Sequence, residues 1–87
     1  MAYVVEFLPS AARSLASLPK DVQNRLARRI DALGENPRPP GVKVLQGGEG
    51  FLRLRVGDYR VIYRIEERRV VVLIVKIGHR REVYRRP

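Results

Sequence analysis

Eighty-seven residues suffice for one modest core, so residues 1–87 are read as a single domain and a second core is excluded. The chain has no cysteine, so no disulfide framework, thiolate metal site or redox chemistry is expected, and no cofactor is called for. The net charge of +9 is uneven: residues 1–40 carry six cations and four anions, residues 41–87 carry twelve and five, so the sequence calls for a polyanionic partner to its second half.

In chain order, the start from Met1 to Leu18 lacks a cationic lead, an apolar core and a small-residue cleavage site, which predicts a cytoplasmic protein without a secretory leader. Tyr3, Val5 and Phe7 alternate with Val4 and Glu6, the period of a short strand. Pro9 and Ser10 supply helix-start chemistry before Ala11, Ala12, Leu15, Ala16 and Leu18. Pro19 interrupts, and from Lys20 and Asp21 a second helix places Val22, Leu26, Ile30 and Leu33 on one apolar stripe, with Gly34 expected to end it.

Residues 34–50 hold Pro37, Pro39, Pro40 and several glycines, which predicts a connection irregular throughout except for room for a short strand near Val42 to Leu45. Gly47, Gly48 and Gly50 are turn glycines, because no Lys followed by Ser or Thr completes a phosphate loop. Phe51 to Val56 and Tyr59 to Ile65 alternate around Gly57-Asp58, the signature of a hairpin with a primed turn. After Glu66 to Arg68, the apolar run Arg69 to Ile77 suits a strand buried on both faces. Its longest apolar stretch, Val70 to Val75, is too short to span a bilayer, so no membrane partner is expected.

A turn at Gly57-Asp58 sets the register: Val56 opposes Tyr59, Arg55 opposes Arg60, Leu54 opposes Val61, Arg53 opposes Ile62 and Phe51 opposes Arg64. Parity then puts Leu52, Leu54, Val56, Tyr59, Val61, Tyr63 and Ile65 on one face, for the helices to cover. Arg53, Arg55, Arg60 and Arg64 share the other. Like charges directly opposed destabilise a sheet by about 0.2–1 kcal/mol per pair, so folding alone does not select them. A phosphate reverses the sign, because guanidinium forks become convergent donors to its oxygens. A solvated face that deters edge-to-edge aggregation is the plainer reading. The tail brings His79, Arg80, Arg81 and Tyr84 together after the last strand, aromatic beside basic, as suits stacking on a base while phosphates are held.

The strings Leu18-Pro19-Lys20, Asn36-Pro37, Phe51-Leu52-Arg53-Leu54-Arg55-Val56-Gly57-Asp58-Tyr59-Arg60-Val61-Ile62-Tyr63 and His79-Arg80 with Glu82-Val83-Tyr84 resemble the RelE family of the RelE/ParE toxin superfamily over essentially the whole chain. The resemblance implies an α+β RelE-like fold: an N-terminal strand and a two-helix hairpin packed on a small antiparallel sheet, in the order β-α-α-β-β-β. It also implies a type II toxin that enters the ribosomal A site and cuts mRNA, the 2′-hydroxyl attacking to leave a cyclic phosphate, and that is neutralised by a cognate antitoxin. Carried over by position, Arg53, Arg55, Arg60, Arg80 and Tyr84 form the catalytic set, with Arg64, His79, Arg81 and Lys43 binding RNA.

Well-known RelE enzymes carry lysines at the two strand positions held here by Arg53 and Arg55. Arginine stays charged in proteins, so these two are assigned to charge stabilisation and mRNA positioning, and Tyr84 or His79 to proton movement or stacking. Three readings compete: a ParE-like inhibitor of DNA gyrase, which needs no convergent arginines, a RelE-like domain that binds RNA or ribosomes without cutting, and a basic module unrelated to toxins. Antitoxin docking is expected on the apolar stripes of Ser10 to Leu33 or the flank of Arg69 to Ile77.

Overall fold

The computed structural model describes residues 2–46 and 50–79, and the statements below concern these. The elements are β1 (Val4–Phe7), α1 (Pro9–Ala16), α2 (Lys20–Glu35), β2 (Lys43–Val44), β3 (Phe51–Val56), β4 (Tyr59–Glu66) and β5 (Val71–His79). The sheet order is β1-β5-β4-β3-β2, an α+β architecture with two helices on one face. Three of the four strand pairings are antiparallel, as expected. The fourth is not: β1 runs parallel to β5, so the sheet is mixed. The α1–α2 hairpin lies between those two strands in sequence and carries the chain back so that they can align.

The two helices are joined by a short turn, residues 17–19. Pro9 occupies the first turn of α1, where a missing N–H costs nothing. The Gln23 side-chain amide donates to Leu18 O (2.8 Å) and Ala16 O (3.1 Å), satisfying carbonyls that α1 leaves open and fixing the angle to α2. The α2 stripe faces the sheet as predicted: Leu26, Ile30 and Leu33 are fully buried against Leu52, Leu54, Val61, Tyr63, Val72 and Ile74. Truncating Leu26 to Ala is expected to cost about 2–5 kcal/mol.

Two local expectations are corrected. Gly34 does not end α2, which continues to Glu35. Glycine is there because the Tyr3 N–H donates to Gly34 O (2.7 Å) and a Cβ at Gly34 would stand 2.9 Å from Tyr3 O, so only a bare backbone lets β1 start this close. The last strand begins at Val71, not Arg69, because Val70 takes a left-handed φ of 55° that finishes the β4–β5 turn. By contrast the β3–β4 turn follows its sequence. Gly57 has φ 59° and Asp58 is not left-handed, the pattern of a type II′ turn, and the register is that read from parity.

Candidate functional site

With the helices on one face, the other face of the sheet carries the charge. The register arranges it in crosswise rows. One row runs Gly78, Arg60, Arg55 across β5, β4 and β3. The next runs Lys76, Ile62, Arg53, Lys43 across four strands, a span of about 14 Å at the usual strand spacing. No described acidic side chain shares either row, and Lys43, Arg55, Arg60 and Lys76 form no ion pair with a described acid. Burial grades across the face: Arg55 is exposed, Arg53 half-buried, and Arg60 only 8 % exposed. The Arg60 Nε and Nη1 are buried without a hydrogen-bond partner among the described residues. A guanidinium so placed is costly unless an anion joins it.

The far end of the same face differs. Arg64 donates to Glu66 (3.0 Å) and lies over the Phe51 ring, 5.6 Å from its centroid. Arg69 bridges Glu66 (2.7 Å) and Glu6 on β1 (3.1 Å). Hydrogen bonds from Arg64 and then Arg69 hold the Glu66 carboxyl below the usual carboxylate range. Beside this network, Glu67 accepts from the Tyr3 hydroxyl (2.8 Å) and from Arg38 (3.1 Å), which lowers its own titration and raises that of Tyr3. Tyr63, fully buried on the helix side, donates to Pro37 O at 2.5 Å, and burial pushes its hydroxyl up to about 12. These contacts fasten the connection after α2 to the sheet.

Of the residues expected to form a site, Arg53, Arg55, Arg60 and Lys43 come together on the acid-free rows, and Arg64 sits apart in the compensated network. His79 pairs with Tyr59 and so falls on the helix side, meeting the Tyr59 ring edge-on at 5.7 Å between centroids. It lines a groove of about 320 Å³ with Ser14, Ser17, Leu18 and Tyr59, away from the arginine rows. Arg80, Arg81 and Tyr84 lie outside the described residues. Lys76 was not foreseen. It belongs to the acid-free rows, and its signal in sequence is a lone cation inside an apolar strand.

Comparison with known proteins fits this geometry. A family described as "ParE toxin of type II toxin-antitoxin system, parDE" matches residues 5–84. The chain is 34 % identical over 90 residues to toxin RelG of Mycobacterium tuberculosis, covering 99 % of this chain and all of that one. The chain is a RelE-family toxin of the RelE/ParE superfamily. The mRNA interferase toxin RelE of Escherichia coli is 29 % identical over 87 residues, covering 97 % of this chain and 92 % of that protein. The archaeal RelE–RelB complex from Pyrococcus horikoshii superposes with a TM-score of 0.80 at 34 % identity, over 92 % of this chain and 97 % of that one. Among the described residues of this RelE-family toxin no helix is long and apolar enough to cross a membrane.

Proposed function

We propose that this toxin is a ribosome-dependent endoribonuclease that cuts mRNA in the A site, with the acid-free rows gripping the scissile phosphate. The observation that carries the reading is Arg60: a guanidinium buried on a basic face, with two nitrogens that find no partner among the described residues, is poised to receive phosphate oxygens. Arg55, directly opposite, and Arg53 in the next row supply the second and third positive charges around the same point. The interferase name of the Escherichia coli relative supports the activity. Attack by the ribose 2′-hydroxyl, giving a cyclic phosphate, is the mechanism that needs least from the protein, since the ribosome can bend the mRNA into line and the arginines need only stabilise charge. Arg80 and Tyr84 are assigned to the same site by family position, the first to phosphate and the second to the base or a proton, with Arg81 and Lys43 as contacts along the RNA; Arg64, held by Glu66, and His79, on the helix side, are left out of that set.

The partner is a cognate antitoxin, in line with the RelB complexes of similar toxins. Its apolar contacts are assigned to the hollow formed by Phe7, Ala12, Leu15 and Ala16, beside the exposed edge of β1. An in vitro translation reaction with purified toxin, with mRNA ends mapped by primer extension, tests the activity. Breaks within A-site codons that vanish in Arg60→Ala are expected. Intact mRNA with stalled translation contradicts cleavage in favour of ribosome binding alone, and intact mRNA with unaffected translation but inhibited DNA supercoiling points to gyrase.

A further inference from the structure

From the register we infer that Lys76 is the proton donor to the leaving 5′-oxygen in the cleavage proposed above, a reading on which this assignment rests. Among the described residues, with Tyr84 outside them, the chemistry leaves a vacancy for such a group. Arg53, Arg55 and Arg60 stabilise charge but are poor proton donors because the guanidinium stays charged in proteins, whereas a lysine ammonium is the stronger acid and can pass a proton to a leaving alkoxide. Glu66 is tied to two arginines at the other end of the face, and His79 is on the helix side. Among the described residues of the acid-free rows, that leaves Lys76 and Lys43.

A backbone irregularity distinguishes Lys76. Strict alternation along β5 from Ile74, which is buried under the helices, would turn Lys76 inward and Ile77 outward. The register instead slips between Ile62 and Tyr63: Tyr63 pairs with Ile74 while Ile62 pairs with Lys76, leaving Val75 as an extra residue. This bulge sends Ile77 into the core, 4 % exposed opposite Val61, and brings Lys76 to the arginine face. Bulges commonly re-aim a side chain next to a functional centre. Lys76 is the diagonal neighbour of Arg60, at about 7–8 Å between backbones, within reach of two long side chains. The position directly opposite Arg60 is Gly78, which adds no side chain between them. Lys43 lies on β2, two strands from Arg60, and is too remote to share its phosphate. β1 ends at Phe7, opposite Ile74, so no described strand flanks β5 at Lys76, and the residue is exposed.

The step balances with water as the only other participant. The ribose 2′-oxygen gives its proton to water and bonds to phosphorus. The bond from phosphorus to the 5′-oxygen breaks, and its electron pair stays on that oxygen. Lys76 donates a proton there, leaving a 2′,3′-cyclic phosphate, a 5′-hydroxyl and a neutral amine that regains its proton from solvent.

The test compares wild type, Lys76→Arg and Arg60→Ala on ribosome-bound mRNA whose scissile 5′-oxygen is either natural or replaced by sulfur, a leaving group that needs no proton. Lys76→Arg keeps the charge and an exposed site, so folding is preserved. The natural RNA should be cut about 10²-fold more slowly by Lys76→Arg, and the sulfur-bridged RNA within a few-fold of wild type. Arg60→Ala should be slow on both. Equal slowing of both RNAs by Lys76→Arg, or wild-type rates on both, overturns the assignment and leaves the Arg60 reading standing. A wild-type protein that cuts neither RNA overturns the cleavage reading itself.

Discussion

The two ends of the outer sheet face carry the same residue type and use it differently. At the β1 end, Arg64 and Arg69 are held by Glu66 and Glu6, with Phe51 beneath Arg64, and the cations lock strand to strand. Toward the hairpin tip, Arg55, Arg60 and Lys76 have no described acid to meet, and Arg60 is the more deeply buried for it. Burial without a partner is what a fold avoids unless a ligand completes the site. The difference shows that a count of arginines on a face is a poor guide to binding, and that the distribution of acids among them is a better one.

The largest expected effect lies at the acid-free end. Arg60→Met should lower cleavage by about 10²–10³-fold, the scale of losing one donor to a developing negative charge. Its urea midpoint should not fall, because a guanidinium with two nitrogens unpartnered among the described residues is replaced by a fitting apolar chain. Equilibrium unfolding alongside single-turnover cleavage checks both halves.

Smaller effects are expected at the fastened end, and these change stability, not cleavage. Tyr63→Phe should cost about 1 kcal/mol by leaving Pro37 O unpaired. The Tyr63 hydroxyl titrates near 12 when folded against its ordinary 10.0, so its contribution is full below pH 10 and is lost as pH climbs toward 12. The phenylalanine variant should flatten that alkaline decline in urea melts. Val70→Asn should gain about 1 kcal/mol, since asparagine tolerates the left-handed φ of 55° that a β-branched residue resists; a thermal midpoint that does not rise contradicts the strain. Least of all, Glu66→Gln should lower the thermal midpoint slightly at neutral pH. The Glu66 carboxyl is depressed below 4.5 in the folded protein, so its contribution is present above that value and is lost as pH falls through the lowered one. The difference between variant and wild type should therefore vanish in acid.

Much of this was legible in sequence, for definite reasons. Gly57-Asp58 between two alternating runs fixes a hairpin register with no freedom, and with it the face of every arginine on β3 and β4. The α2 stripe was equally clear. Strand β5 was not: Val70 to Val75 are all apolar, so nothing in the pattern marks the extra residue at Val75, and the face of every later side chain depends on it. That is why the pattern groups His79 with the arginines and gives no sign of the face on which Lys76 lies. The parallel pairing of β1 and the close approach that keeps Gly34 inside α2 are contacts across more than thirty residues, which local periodicity does not encode.

The most direct test sets the two ends of one face against each other: single-turnover cleavage of ribosome-bound mRNA by Arg60→Ala and by Arg64→Ala, with antitoxin binding as the folding control. Arg60→Ala is expected to lose about 10²-fold or more in rate and Arg64→Ala less than about tenfold. Equal losses, or a larger loss at Arg64, contradict the division of the face into a binding end and a structural end.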